Sequence, residues 1–328
     1  MMKKILVLFS VVTFLIGSNI YAQKQTSPAE KHGALKVESN QIVNQHGLPP
    51  QLRGLSFSWS LWGGKKYYNE DVVDWLCHDF KVTLIRASMG VQPDGGYLSD
   101  PEGQKKLMIE VIDQAIKNGI YVLIDWHDHN AEKHLTEAKG FFADMAKKYN
   151  GVPNVIYEIW NEPERQSWEV IKSYAESVIQ EIRKYDADNL IVVGSSHWDQ
   201  DVDEAAANSI SGYKNICYSF HFYASDPNHQ EALQAKADLA IQRGISLFVT
   251  EWGVGESNGD GVFDHQKTNM WMEWMEKNKL SWANWNITDK KETTALLQPG
   301  ASEKGGWSLV DLTESGKYMR EKLNELNR

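Results

Sequence analysis

Cysteine is almost absent from this 328-residue chain, which has only Cys77 and Cys217. Two thiols cannot build the disulfide framework that staples small exported domains, so stability must come from a hydrophobic core. Cys77 falls in a helical pattern (EDVVDWLCHDF) and Cys217 in a strand pattern (NICYSFHFY). They read as two separately buried thiols, or as one bridge in an oxidising compartment. An excess of basic residues is also missing. The 34 Lys and Arg face 44 Asp and Glu, a formal charge of −10, and an acidic surface repels phosphate backbones. Nucleic acid is excluded as a partner on that ground, whereas a neutral ligand is compatible. No Ser/Pro/Thr linker, low-complexity tract or repeat of 20–50 residues divides the chain.

No apolar run reaches the roughly 20 residues of a membrane span. The longest, ILVLFSVVTFLIG, follows the basic MMKK and precedes small residues ending at Ala22. That is the pattern of a secretory signal peptide over residues 1–22. Residues 23–32 (QKQTSPAEKH) then read as a flexible polar leader, and residues 33–328 as one domain. The expectation is an exported monomer with no membrane attachment after cleavage.

What is present is a regular alternation. Strand-like runs are QLRGLSF, VTLIRAS, YVLIDWH, VIYEIWNEP, LIVVGSS, ICYSFHFY, LFVTEWG and WANWNIT. Helical patterns lie between most of them. In WEVIKSYAESVIQEIRKY, Val170, Ile171, Tyr174, Ala175, Val178, Ile179 and Ile182 recur at helical spacing. Parallel strands need crossovers, so eight such runs predict a single α/β (β/α)8 barrel, preceded by a short N-terminal β-hairpin. The fifth and sixth strands are the weakest pairing, with only a short helix near Val202–Asn208 between them.

In such a barrel the C-terminal strand ends converge on one site. Read together, those ends carry Arg86, His127, Asn161, Glu162, His197, Trp198, His221, Tyr223, Glu251, Trp252 and Trp285. Glu162 and Glu251 come from strands four and seven, which face each other across an eight-stranded barrel. Opposed carboxylates are the chemistry of glycoside hydrolysis, one donating a proton and the other attacking as an ion. Their environments must hold their pKa values apart. Arg86 and the Tyr223 phenol would keep Glu251 ionised, while the neighbouring charge and apolar groups would favour the protonated form of Glu162. Thirteen Trp suit flat sugar faces. Trp271 and Trp274, three apart in MWMEWMEKNK, read instead as helix-to-barrel packing. Glu158 and Asp125, inside strands, read as hydrogen-bonded interior groups. His127, Asp128, His129 and His134 invite a metal reading, but HExxH is absent, and neither metal nor cofactor is expected.

The segments LRGLS, IRASM, VLIDWHDH, VIYEIWNEP, VVGSSHWDQDV, YSFHFYA, FVTEWG and SWANWNITDKKE resemble glycoside hydrolase family 5 over roughly residues 35–325. The similarity is greatest to the secreted bacterial endo-β-1,4-glucanases of that family. It implies Glu162 as acid/base and Glu251 as nucleophile. Arg86 and Tyr223 would orient Glu251, Asn161 would bind the sugar 2-hydroxyl, and His127 and His221 would contact hydroxyls and tune the carboxylates. It further implies Trp62, Trp198 and Trp285 as sugar platforms and Lys290 with Glu292 as polar contacts, acting on a β-glucan substrate. One departure is Ser58, where many relatives carry His just after the first strand. Other β-glycanases of the family, acting on mannan, xyloglucan or mixed-linkage glucan, fit the same segments. A non-catalytic sugar-binding barrel would usually have lost one of the two Glu.

Overall fold

A computed structural model describes residues 26–328, so the expected signal segment lies outside the described residues. Strands β1 (Lys36–Glu38) and β2 (Gln41–Val43) form an antiparallel hairpin. Eight more follow: β3 (Arg53–Phe57), β4 (Leu84–Gly90), β5 (Tyr121–His127), β6 (Val155–Glu158), β7 (Ile191–Val193), β8 (Ile216–Tyr223), β9 (Leu247–Gly253) and β10 (Trp282–Ile287). They close into an all-parallel barrel in chain order, β10 returning to β3. This is the (β/α)8 barrel that the alternation predicts. Helices such as Pro101–Asn118, Trp168–Ile182 and His265–Lys277 supply the crossovers, and between β7 and β8 only Ser196–Asp199 and Val202–Ala207 do so.

The polar leader ends earlier than the composition suggests. Pro28–His32 forms a helical turn, because Ser27 and Glu30 make a reciprocal capping box and Pro28 occupies the first turn. Its Ala29 N–H donates to the Gly119 carbonyl at 2.8 Å. Both cysteines are free. No helix among the described residues is long and apolar enough to cross a membrane.

The strands are buried on both faces, which is why they read as continuous apolar runs. Their outer face packs on the helices. Trp271 stacks on Phe222 with ring centroids 3.9 Å apart and Trp274 meets Phe220 at 5.8 Å, the packing their spacing indicates. The inner face changes character along its length. At the N-terminal end Leu84, Leu123, Ile156, Val192, Cys217, Phe248 and Ala283 form an apolar plug, capped by Leu35 and Ile42 from the hairpin region. Two residues further along the same strands, Arg86, Asp125 and Glu158 occupy the interior instead, all fully buried. The plug shuts one end of the barrel and leaves polar chemistry to the other.

Candidate active site

Strands β6 and β9 depart from strict alternation, and each departure delivers a carboxylate to the interior. On β9, Phe248 faces inward and Val249 outward, so period two would send Thr250 inward and Glu251 toward the helices. The β8–β9 register shifts, however: Ser219 pairs with Phe248 but His221 with Glu251. One extra residue on β9 re-aims the chain, and Thr250 and Glu251 both reach interior groups. On β6 regular pairing ends at Glu158. Ile159 and Trp160 both pack outward, and the Asn161 N–H donates to the Trp126 carbonyl at 3.1 Å. The expected strand VIYEIWNEP is thus a four-residue strand followed by a turn that swings Asn161 and Glu162 over the barrel mouth.

Arg86, from β4, is the hub. Its Nε and Nη2 donate to the two oxygens of Glu158 at 2.7 and 3.2 Å, and Nη1 donates to Glu251 Oε2 at 2.7 Å. Nη2 also reaches Asn161 Oδ1 at 2.5 Å and lies 3.0 Å from Asp125. A guanidinium buried this completely is stable only because carboxylates surround it. The Tyr223 hydroxyl donates to the other Glu251 oxygen at 2.6 Å. Burial and the Glu251 charge raise the phenol well above 10, so it stays a donor. Both Glu251 oxygens are therefore held by donors, as the sequence suggested. Asn161 Oδ1 is committed to Arg86, and its Nδ2 is left buried as a donor without a partner.

Glu162 differs from the sequence expectation. Burial alone would raise its carboxyl, but the hydrogen bond and charge of His221, with His129 and His127 beyond, hold it down to about 2. His221 Nδ1 lies 2.8 Å from Glu162 Oε1. Burial disfavours a charged ring, yet Asp199 when ionised, and Glu158, Glu162 and Glu251 beside it, raise His221 well above 6.5. The proton expected on Glu162 therefore resides on the imidazole. Sequence reasoning counted the negative neighbours and missed this cation, which arrives from a strand 59 residues away. Oxygens of Glu162 and Glu251 and a nitrogen of His221 all lie within 4.8 Å of one another.

The remaining named residues are spread along the cleft. His127 Nδ1 is 2.7 Å from Asp125 Oδ2, and burial plus the Arg86 charge push the ring down to about 3, so it is neutral. Trp285 stacks parallel to it at 5.4 Å. Trp62 is 68% exposed on the rim. Between them is Trp59, which sequence reasoning passed over. Its ring meets His127 edge-on at 4.2 Å and Trp62 at 5.6 Å. It directly follows Ser58 and continues the aromatic surface between His127 and Trp62. Lys290 and Glu292 pair with each other at 2.5 Å, and Glu292 also accepts from Asn286 at 3.3 Å. The neighbouring histidines do not converge. His134 Nδ1 holds Asp128 at 2.8 Å, while His129 Nδ1 lies 3.2 Å from the Glu162 carbonyl oxygen.

Trp198 stands on a strained turn. His197, Trp198 and Asp199 all have left-handed φ (59°, 54° and 60°), a conformation costing roughly 1–2 kcal/mol for each such residue. The surroundings enforce it. His197 and Trp198 N–H groups donate to the Glu164 and Pro163 carbonyls at 2.9 and 2.8 Å. Gly194 permits the close approach, since a Cβ there would sit 2.9 Å from both Pro163 and Asp199. The Trp198 turn is thereby locked to the segment that carries Glu162.

The family model for cellulase (glycosyl hydrolase family 5) matches residues 43–291. Endoglucanase Z of Dickeya dadantii (strain 3937) is 47% identical over 289 residues, 87% of this chain and 65% of that protein. The chain thus spans about two thirds of that relative's length. A solved structure from Cytophaga hutchinsonii shares 48% identity at a TM-score of 0.89, covering 92% of this chain and 97% of the other. The catalytic domain of Thermobifida fusca endoglucanase Cel5A (E5), in complex with cellotetraose, shares 36% identity at a TM-score of 0.86, covering 91% and 99%.

Proposed function

From the premise that the chain belongs to glycosyl hydrolase family 5, we propose that it is an exported, retaining endo-β-1,4-glucanase that cleaves internal bonds of β-glucans by double displacement. The observation that carries the mechanism is the spacing of Glu162 and Glu251, with oxygens within 4.8 Å. Retaining glycosidases hold their carboxyls about 5 Å apart, whereas inverting ones leave room for a water. Glu251 attacks the anomeric carbon with its charge already oriented by Arg86 and Tyr223. The leaving oxygen takes its proton from the His221–Glu162 pair. That proton sits on His221 Nδ1 at rest and passes along the 2.8 Å hydrogen bond to Glu162 as the leaving oxygen pulls on the carboxyl. Water then gives a proton back to the pair and hydrolyses the glycosyl-enzyme. The Asn161 Nδ2 group donates to the 2-hydroxyl, where a contact strengthens at the transition state.

Trp62, Trp59 and Trp285 form a run of apolar faces on one side of this centre, with Trp198 on the turn beside Glu162. Glucose units of a β-1,4 chain present flat faces that such a run accommodates, and the relative solved with cellotetraose supports that substrate class. No cofactor is invoked. Tyr223→Phe should lower kcat roughly 10- to 100-fold, the worth of one hydrogen bond to a charged group, and leave KM close to wild type. Steady-state kinetics on a soluble cellooligosaccharide measure it, and an unchanged kcat removes Tyr223 from the mechanism.

Hydrolysis followed by proton NMR tests the whole reading. The β-anomer is expected first, with the highest kcat/KM on β-1,4-glucan across a panel of β-glycans. Initial α-anomer would mean inversion. Preference for mannan, xyloglucan or mixed-linkage glucan would reassign the substrate. Tight binding with no cleavage would leave a sugar-binding barrel.

A further inference from the structure

Behind the His221–Glu162 pair lies a carboxylate that the mechanism above does not use. Asp199 is fully buried, and its Oδ1 accepts from the Ser195 N–H at 2.6 Å. Its Oδ2 has no hydrogen-bond partner and lies 3.5 Å from His221 Nε2. An unpaired buried oxygen is expensive, so its retention calls for a reason. The backbone adds to that expense, because Asp199 is the third residue of the left-handed turn and Gly194 leaves it space. The residue before it is Trp198, the platform beside Glu162.

The charges around the imidazole come from five segments. Glu162 faces Nδ1 at 2.8 Å, and on the Nε2 side are Thr250 Oγ1 at 2.8 Å, Asp199 Oδ2 at 3.5 Å and Glu158 Oε1 at 3.8 Å. Glu251 acts from β9, its own oxygen bound to Arg86. Arg86 also engages Glu158. Among these carboxylates, Glu158 and Glu251 are neutralised by the guanidinium and Glu162 by His221 itself. Asp199 is left facing the imidazole with no cation of its own.

We propose that Asp199 acts on the acid/base pair through His221, facing Nε2 from 3.5 Å while Thr250 fixes the ring, and governs, by its own protonation, how readily the pair gives up a proton. The proposal rests on Glu162 as acid/base. While Asp199 is neutral, the imidazolium releases its Nδ1 proton through Glu162 to the leaving oxygen. Once Asp199 ionises, a second negative charge beside Nε2 binds that proton more tightly and slows its transfer. The proton returns from water when the glycosyl-enzyme is hydrolysed, so Asp199 starts and ends each turnover unchanged. Burial raises the Asp199 carboxyl to about 8, against the His221 charge and the Ser195 N–H that lower it.

The sign of the effect follows. Activity should fall as pH rises through about 8 in the intact enzyme. Asp199→Asn keeps the shape and the acceptor for Ser195 but cannot ionise. Its kcat/KM relative to wild type should therefore rise about tenfold between pH 7 and pH 9, the effect of removing one ionisation over one unit. A constant ratio across that range, or a wild-type profile with no alkaline limb, overturns the proposal. If the variant does not fold, the wild-type enzyme labelled with 15N-histidine still decides the matter. The His221 ring nitrogens should shift in a step centred near pH 8, and a flat response from pH 7 to 9.5 overturns the proposal. Azide rescue of Glu162→Ala tests the underlying assignment separately. Rescue together with a flat His221 response removes Asp199 from the mechanism and leaves Glu162 in it.

Discussion

Glu251→Gln should cut kcat by a factor on the order of 10⁵ to 10⁶, the scale of losing a covalent nucleophile, while binding of a cellooligosaccharide stays within a few-fold. An amide cannot form the glycosyl ester, so the first bond-forming step has no substitute elsewhere in the site. The amide also fits its neighbours poorly. Arg86 Nη1 and the Tyr223 hydroxyl both donate to Glu251, and a glutamine offers them one oxygen and one NH₂ group. Arg86 nevertheless keeps Glu158 and Asp125, so the guanidinium is not left as an uncompensated buried charge. The fold should survive, and calorimetric titration with cellotetraose beside single-turnover kinetics separates the two effects. Residual turnover above one percent of wild type would assign the nucleophile elsewhere.

Glu162→Ala removes the other half of the chemistry and should behave differently. With an unactivated β-glucan, kcat should fall roughly 10²- to 10⁴-fold, the usual worth of a positioned general acid and base. With a dinitrophenyl cellobioside, whose leaving group needs no proton, the first step should survive and the glycosyl-enzyme should accumulate. Added azide then has access to the vacated side of the anomeric carbon and should restore turnover, giving a β-glycosyl azide. Failure of azide to restore any rate, or an α-product, would sink the assignment. The His221 ring bears on the same experiment. It loses its 2.8 Å partner in this variant, while Thr250 continues to hold its other nitrogen. The ring should stay in place, so the loss reports the missing carboxyl and not a collapsed pocket.

Much of this was legible before any coordinates. Eight apolar runs separated by helical patterns specify a barrel because parallel strands buried on both faces must be apolar and must be joined by crossovers. The polar residues that interrupt those runs at their C-terminal ends include Arg86, Asn161, Tyr223 and both glutamates, which the folded chain brings into one cluster. Trp59 and Asp199 were missed for different reasons. Trp59 follows a strand in a loop that already offered Trp62, and nothing local says which ring turns toward His127. Asp199 sits among the acidic residues of HWDQD, and only the left-handed turn separates it from its neighbour Asp201, which pairs with Lys236 at 2.5 Å.

By itself, the sequence determined the barrel, the strand each carboxylate sits on and the aromatic lining of the cleft. These depend on residue type and spacing along the chain, which local periodicity carries. The direction Glu251 points and the charge Glu162 bears were decided only by the tertiary structure. A single extra residue on β9 turns Glu251 inward against the period-two expectation, and that residue becomes visible only when the strand is paired with its neighbours β8 and β10. The resting charge of Glu162 is set by an imidazole from β8 that is itself held positive by Glu158, Glu251 and Glu162 itself. Electrostatics of that kind depends on distances of a few ångströms between groups far apart in sequence, and only the folded chain brings them together.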